Sequence, residues 1–360
     1  MELIMPNPLP RWRGFNLLDM YLYEPDRERI PPGALTGPGG YGGGEGDFRE
    51  SDLQWIADWG FDFIRLPLDY RYWTEELPDG TWRLRDSVLQ RIDRVLHLAE
   101  KYALHTSLSF HRAPGYCVNP PAEAKSLWTD AGMRGKFCAQ WAAFAKRYAG
   151  VPSARLSFDL VNEPPAVGVM GFLGGSGMTR KAHESVIRSA VAAIHHLDPH
   201  RLILANGLNY GTEPLEELTD LPTLGQSCRM YAPFGITHYQ APWVNYVWWK
   251  KPCWPNADHF GRIWGREQLA AHFAPWAALV NRGIGVHCGE GGAYRNTPHP
   301  IVLAWMQDAL AILQSHHIGW ALWNFRGDFG VLDSNRPDVP YDDFRGHKLD
   351  RAMLELLRRS

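Results

Sequence analysis

The sequence predicts an α/β protein folded as a single closed (β/α)8 barrel, a TIM barrel with elaborated βα loops, and three observations carry that prediction. Short apolar runs alternate with amphipathic helical stretches along the whole length, the pattern of βα units on a parallel sheet. Eight such runs can be counted, which is the number that closes a barrel. No Ser/Gly-rich linker, internal repeat or break in the alternation divides the 360 residues, so residues 1–360 read as one domain.

Taken in order, the candidate strands are Gly14–Leu17, Phe61–Leu66, Thr106–Phe110, Leu156–Leu160, Leu202–Ala205, Ser227–Tyr231, Ile284–Cys288 and Gly319–Trp323. The clearest helices between them are Asp86–Tyr102, Met133–Ala149, Arg180–His196, Arg266–Arg282 and Pro300–His316, whose apolar residues recur at three- and four-residue steps. Two stretches depart from this rhythm: Ile30–Gly46, rich in Gly and Pro, and Ala241–Gly265, which carries Trp243, Trp248, Trp249, Trp254 and Trp264. Long excursions of this kind are usually functional loops, and in a barrel the loops that follow the strands build the site.

Composition narrows the function. With 45% hydrophobic and 21% charged residues and a formal charge of −2, the chain has no electrostatic footprint for nucleic acid or anionic membrane. Sixteen Trp are more than a core normally uses, and flat rings with one polar handle suit sugar faces. The five cysteines are odd in number, widely spaced and without metal-ligand spacing, so they read as reduced thiols. The segment Met1-Glu-Leu-Ile-Met-Pro-Asn-Pro-Leu-Pro10 has neither a basic nor an apolar leader region, giving a cytoplasmic expectation, or a secreted one if a leader was removed. Phosphate-cradling and dinucleotide fingerprints are absent, and neither a metal nor an organic cofactor is expected.

Chemistry is signalled by two glutamates, each directly after an apolar run: Glu163 in Ser157-Phe-Asp-Leu-Val-Asn-Glu-Pro-Pro165 and Glu290 in Ile284-Gly-Val-His-Cys-Gly-Glu-Gly-Gly292. A carboxylate at the edge of a core is costly unless it has partners or a task. Two of them on one barrel point to paired-carboxylate chemistry, above all glycoside hydrolysis. Singly, each would read as a helix cap or surface ion pair; their company changes that. Arg65, His111, Tyr231 and Trp323 end four other candidate strands, and strand ends converge on one face of a barrel. The glycines flanking Glu290 are expected to let a substrate approach closely.

The ordered segments Arg13-Gly-Phe-Asn16, Phe63-Ile-Arg-Leu-Pro67, Phe110-His-Arg-Ala-Pro-Gly-Tyr116, Val161-Asn-Glu-Pro164, Cys288-Gly-Glu290 and Ala321-Leu-Trp-Asn324 resemble glycoside hydrolase family 5, and within it the compact bacterial endoglucanases. The resemblance spans nearly the whole chain. It implies a retaining enzyme with Glu163 as acid/base and Glu290 as nucleophile, Arg65 orienting the nucleophile, and His111 and Asn162 binding sugar hydroxyls over a floor made by Trp323. For Arg65, His111 and Trp323 the bland alternatives are a strand cap, a core histidine and core packing.

One position departs from the family pattern. Where the family has His-x-Tyr on strand six, this chain has Arg229-Met-Tyr231. Tyr231 is expected beside the nucleophile, Arg229 acting on its charge or on substrate, and His238 in a loop near substrate. Further substrate contacts are expected from Asn16, Asn206, Asn209, Trp243 and Trp254. The expected partner is a β-linked oligo- or polysaccharide, cleaved as an endo-β-1,4-glucanase cleaves it. An exo-acting β-glucosidase, a β-mannosidase or β-mannanase, and a non-catalytic carbohydrate-binding barrel are the alternatives.

Overall fold

The computed structural model describes residues 7–23, 48–168, 178–244, 250–259 and 261–360; the excursion Ile30–Gly46, together with Trp248 and Trp249, lies outside them. Its main sheet runs β1 (Arg13–Asn16), β2 (Phe63–Asp69), β3 (His105–Ala113), β4 (Leu156–Asp159), β5 (Leu202–Asn206), β6 (Leu224–Met230), β7 (Val286–Gly291) and β8 (Gly319–Leu322). Each strand is parallel to the next, and β1 pairs with β8, so the sheet closes on itself. A short Tyr116–Cys117 strand is added antiparallel to the end of β3.

Burial on both faces explains why these strands read as apolar runs. In β2, for example, all seven residues are buried. The helices α1 (Glu50–Asp58), α2 (Asp86–Lys101), α3 (Ala131–Tyr148), α4 (Arg180–His195), α5 (Arg266–Asn281), α6 (His299–Ser315) and α7 (Arg351–Arg359) supply the outer layer. In α2 the buried side chains Leu89, Ile92, Val95, Leu98 and Ala99 form one stripe at three- and four-residue spacing. Side chains of Asp130, Thr179 and Asp350 accept from backbone N–H groups at the starts of α3, α4 and α7, satisfying donors that a helix end leaves open.

Three features depart from the sequence expectation. The β5–β6 connection has no full helix, only the four-residue turn Leu208–Gly211 and a 3-10 turn Glu216–Leu218. α1 and α7, of nine residues each, were not among the candidate helices, although the buried Met353, Leu354 and Leu357 of α7 recur at three- and four-residue steps. Strand β2 continues to Asp69, so Arg65 stands in mid-strand rather than at its end.

The lower barrel is filled by Leu9, Trp12, Phe63, Leu204 and Ala321. His105 stacks on Trp12 with ring centroids 3.7 Å apart and bonds Ala154 O and Ser157 Oγ, while Phe63 contacts the His287 ring. This aromatic plug leaves the opposite, C-terminal end of the strands free to carry polar residues.

Candidate active site

Strand register gathers the polar residues. Asn16 lies beside Arg65, Ser109 beside Asp159, Asn206 beside Ser227, and Arg229 beside Glu290. Neighbours in register on parallel strands face the same side, so these residues form a ring inside the barrel. The last pairing needs an irregularity: between Cys288 and Glu290 the register slips, and Glu290 falls opposite Arg229 instead of Met230.

Arg65 is the hub. Its Nε donates to Asp159 Oδ2 at 2.7 Å, Nη1 to Glu290 Oε1 at 2.6 Å and Asn16 Oδ1 at 3.0 Å, and Nη2 to Ser109 Oγ and Asn162 Oδ1 at 2.8 and 2.9 Å. A rigid five-donor fork suits this convergence where a point charge would not. Tyr231 Oη donates to the other Glu290 oxygen at 3.3 Å.

Glu163 lies past the end of β4 with φ of 47°, a left-handed conformation unusual for a non-glycine residue. Its N–H donates to Asn206 Oδ1 at 3.1 Å and its C=O accepts from Tyr116 Oη at 2.5 Å, so both backbone polar groups are held. Arg229 Nε donates to its carboxylate at 3.0 Å, and Arg229 Nη2 lies 3.2 Å from Glu290 Oε1. One guanidinium thus touches both glutamates. Burial, then the charge of Glu290, pushes the Glu163 carboxyl up to about 7 against the pull of Arg229 and Arg65.

Two buried polar atoms in this ring have no protein partner. The Asn162 Oδ1 accepts from both arginines, Arg229 Nη2 at 2.8 Å being the second, which leaves Asn162 Nδ2 unbonded. His111 Nε2 pairs with Asn119 Oδ1 at 2.7 Å and its Nδ1 is unbonded; burial and then Arg65 hold that ring neutral. Buried polar groups normally find partners, so both atoms suit hydroxyls of a ligand. Trp323 closes the side, its ring near His111 and edge-on to Tyr21.

Other expected residues sit differently. Asn16 donates to Gly289 O and Leu322 O, both at 3.0 Å, and accepts from Arg65, so its amide braces strands instead of meeting a sugar. Asn206 is likewise engaged by Asp159, Glu163 and Arg229. Arg229 has all five N–H groups on protein acceptors, the remainder being Ser227 Oγ, Cys228 O and Asn206 Oδ1, and none is left for substrate. Trp254 is not part of the group: its indole donates to Asp308 on α6 at 2.9 Å. Asn209 meets Pro165 O through its backbone. Trp243 is 40% exposed and packs edge-on against Tyr294, near Phe329 and His238. His238 stacks on Phe234 at 4.1 Å, and burial pushes its pKa down to about 3. The glycines flanking Glu290 make room for β6 and not for substrate, since a Cβ at Gly289 would come 2.6 Å from Ser227 Oγ and one at Gly291 2.6 Å from Met230 Cβ.

Sequence reasoning passed over Asp159, which links Arg65 to Asn206, and also Ser109, Tyr116 and Tyr210. An acidic residue inside a buried apolar run was a readable signal for Asp159. Tyr210 had none: it is 38% exposed at φ 57°, with its N–H on Pro164 O, directly after Glu163. Among the described residues no group of three or more His, Cys, Asp and Glu side chains is arranged for a metal, and no helix is long and apolar enough to cross a membrane.

The profile of the cellulases, glycosyl hydrolase family 5, matches residues 41–328. The chain belongs to glycosyl hydrolase family 5. This family 5 glycoside hydrolase is 25% identical over 318 residues to endoglucanase C of Acetivibrio thermocellus, covering 81% of this chain and 88% of that protein. It is 26% identical over 199 residues to cellodextrinase A of Ruminococcus flavefaciens, covering 54% and 55%. A glycoside hydrolase crystal structure superposes with a TM-score of 0.85 at 36% identity, covering 97% of this chain and 99% of that one. An endoglucanase from Thermotoga maritima shares the fold at a TM-score of 0.72 and 21% identity over 96% of both chains.

Proposed function

We propose that this family 5 enzyme hydrolyses β-1,4-linked gluco-oligosaccharides or glucans with retention at the anomeric carbon, using Glu290 as nucleophile and Glu163 as acid/base in one catalytic domain. One observation carries the reading: two carboxylates meet on one buried guanidinium, and burial beside Glu290 pushes the Glu163 carboxyl up to about 7, where it can act as an acid. In the first step a Glu290 oxygen bonds the anomeric carbon, the glycosidic C–O bond breaks, and the leaving oxygen takes the proton of Glu163. In the second, water bonds the anomeric carbon, the ester C–O bond breaks, and Glu163 takes the water proton. Arg65 and Tyr231 aim the nucleophile; Asn162 Nδ2 and His111 Nδ1 are placed for hydroxyls of the sugar being cleaved.

Short cello-oligosaccharides are favoured over long glucan by the likeness to a cellodextrinase. The Thermotoga maritima enzyme has been solved with cellobiose and with mannotriose, so mannan oligosaccharides belong in the same test. A panel of aryl β-glycosides and defined β-glucan and β-mannan oligosaccharides, with products sized and their anomeric configuration read by NMR, decides the matter. Release of the α-anomer first, or full activity in Glu290→Ala, would overturn the proposal.

A further inference from the structure

His111 is the residue that the sheet leaves out of its ladder. Leu68 of β2 pairs with Phe110 of β3 and Asp69 pairs with Arg112, so His111 is the extra residue of a bulge, a device that re-aims a side chain near a strand end. Its ring lies edge-on to Tyr21 at 4.4 Å and near Trp323 at 5.6 Å, and its Nε2 meets Asn119 Oδ1 at 2.7 Å. The ring is held on three sides, with Nδ1 buried and unbonded.

Asn119 reaches His111 because the chain doubles back after β3. Gly115 turns it at φ 82°, where a Cβ would come 2.5 Å from Leu127 N, and the Tyr116–Cys117 strand pairs back on Arg112 and Ala113. Arg112, which is 2% exposed, fastens the returning segment. Its Nη2 donates to Asn119 O at 2.8 Å, its Nη1 to Pro121 O at 2.9 Å and Glu123 Oε1 at 2.6 Å, and its Nε lies 3.4 Å from Asp69 Oδ2. Consecutive residues of one strand thus hold Asn119, His111 by its side chain and Arg112 by its backbone.

Resting on the roles proposed above, we infer that Asn119 is a positioning residue that keeps the His111 proton on Nε2, so that Nδ1 meets the sugar as an acceptor and takes a hydroxyl hydrogen. An amide oxygen accepts and cannot donate, so the ring nitrogen that faces it carries the proton. Burial, and then Arg65, Arg229 and Arg112, oppose a second proton on the ring. Nδ1 is left with a lone pair and no hydrogen. Asn162 is the opposite case, because both arginines occupy its Oδ1 and leave Nδ2 to donate. The site therefore asks the sugar for one hydroxyl oxygen that accepts and one hydroxyl hydrogen that is given. A hydroxyl capped by a branch or an acyl group, or replaced by fluorine, has no hydrogen for His111, so the enzyme is selective for sugars left unsubstituted at that position.

NMR of the histidine ring nitrogens, with His111 assigned by the signals lost in His111→Gln, reads the tautomer directly. The unmodified enzyme is expected to carry the proton on Nε2. A proton on Nδ1, the result of a reversed Asn119 amide, would overturn the inference. Asn119→Leu is expected to spread the proton over both nitrogens. On aryl β-cellobiosides whose hydroxyls at the cleaved sugar are replaced one at a time by fluorine, loss of the hydroxyl that His111 reads should lower kcat/KM about ten-fold more in the unmodified enzyme than in Asn119→Leu, the size of one buried hydrogen bond. Equal losses in the two proteins, or an unmoved tautomer in the variant, would also overturn it, since a purely structural defect slows every substrate alike. Should Asn119→Leu fail to fold, cellotriose is bound to Glu290→Ala, and the Nδ1 signal must shift as it accepts a hydrogen bond; an unshifted signal sinks the inference. The two proposals fail separately: full turnover by Glu290→Ala removes the assigned roles, whereas an inactive Glu290→Ala together with a proton on Nδ1 removes only the task given to Asn119.

Discussion

Glu290 and Glu163 share one guanidinium but sit in different surroundings. The Glu290 side chain is 4% exposed and is held by Arg65, Arg229 and Tyr231. The Glu163 carboxylate is 14% exposed and, among the described residues, is ion-paired with Arg229 alone, while its backbone is fixed by Asn206 and Tyr116. The difference is what paired-carboxylate chemistry asks for. A nucleophile must be aimed and its charge supported; an acid/base must gain and lose a proton, so its backbone is anchored and its carboxyl is left lightly bonded.

The comparison can be broken most severely at Glu290. Glu290→Ala should lower kcat by about 10⁴-fold or more on every substrate, because no other group forms the ester; steady-state rates on aryl glycosides check this. Glu163→Ala should cost about 10² to 10⁴-fold on poor leaving groups, much less in the first step on good ones, and should respond to added azide. In the unmodified enzyme kcat/KM should fall as pH rises through about 7, where Glu163 loses its proton, and the Glu163→Gln variant should lack that limb.

Anchoring itself is tested next. Arg65→Met leaves Asp159 and Glu290 short of a buried cation and should cost about 3–5 kcal/mol in denaturant unfolding. The barrel floor supplies a separate pH effect. Burial pushes His105 and His287 down to about 3, so the folded state binds fewer protons than the unfolded one below about pH 6.5. Their contribution to stability is full above that pH and lost as pH falls toward 3. Melting temperature against pH should show this loss on the acid side, opposite to the Glu163 limb, and a flat profile from pH 7 to 4 would contradict it. The smallest effect is expected at Tyr210, exposed beside the acid/base: Tyr210→Ala should raise KM a few-fold for oligosaccharides and leave aryl glycosides unchanged.

How much of this was legible varies by residue. All eight strands were found within a few residues, because a strand buried on both faces must be apolar throughout. The two glutamates were legible for the converse reason, as charges next to such runs. Asp159 obeyed the same rule but was absorbed into the body of its strand. Asn16 and Asn206 were recognised as site residues but expected on sugar, and Arg229 was expected on the nucleophile's charge or on substrate, of which its contacts match the first; a sequence does not say whether an amide or guanidinium faces a ligand or a neighbouring strand. Trp254 belongs to a stretch whose aromatic content suggested sugar stacking, and its indole instead meets a helix.

By itself the sequence determined the barrel, the order of its strands, the family motifs and the pair of carboxylates, all of which follow from local burial and residue type. Only the tertiary structure decided what those residues do to one another. The slip at Gly289 that sets Glu290 beside Arg229, and the arginine pair that turns Asn162 Nδ2 away from its oxygen's partners, come from contacts between strands far apart in the chain. Register and side-chain direction are set by neighbours across the sheet, and no local pattern encodes them.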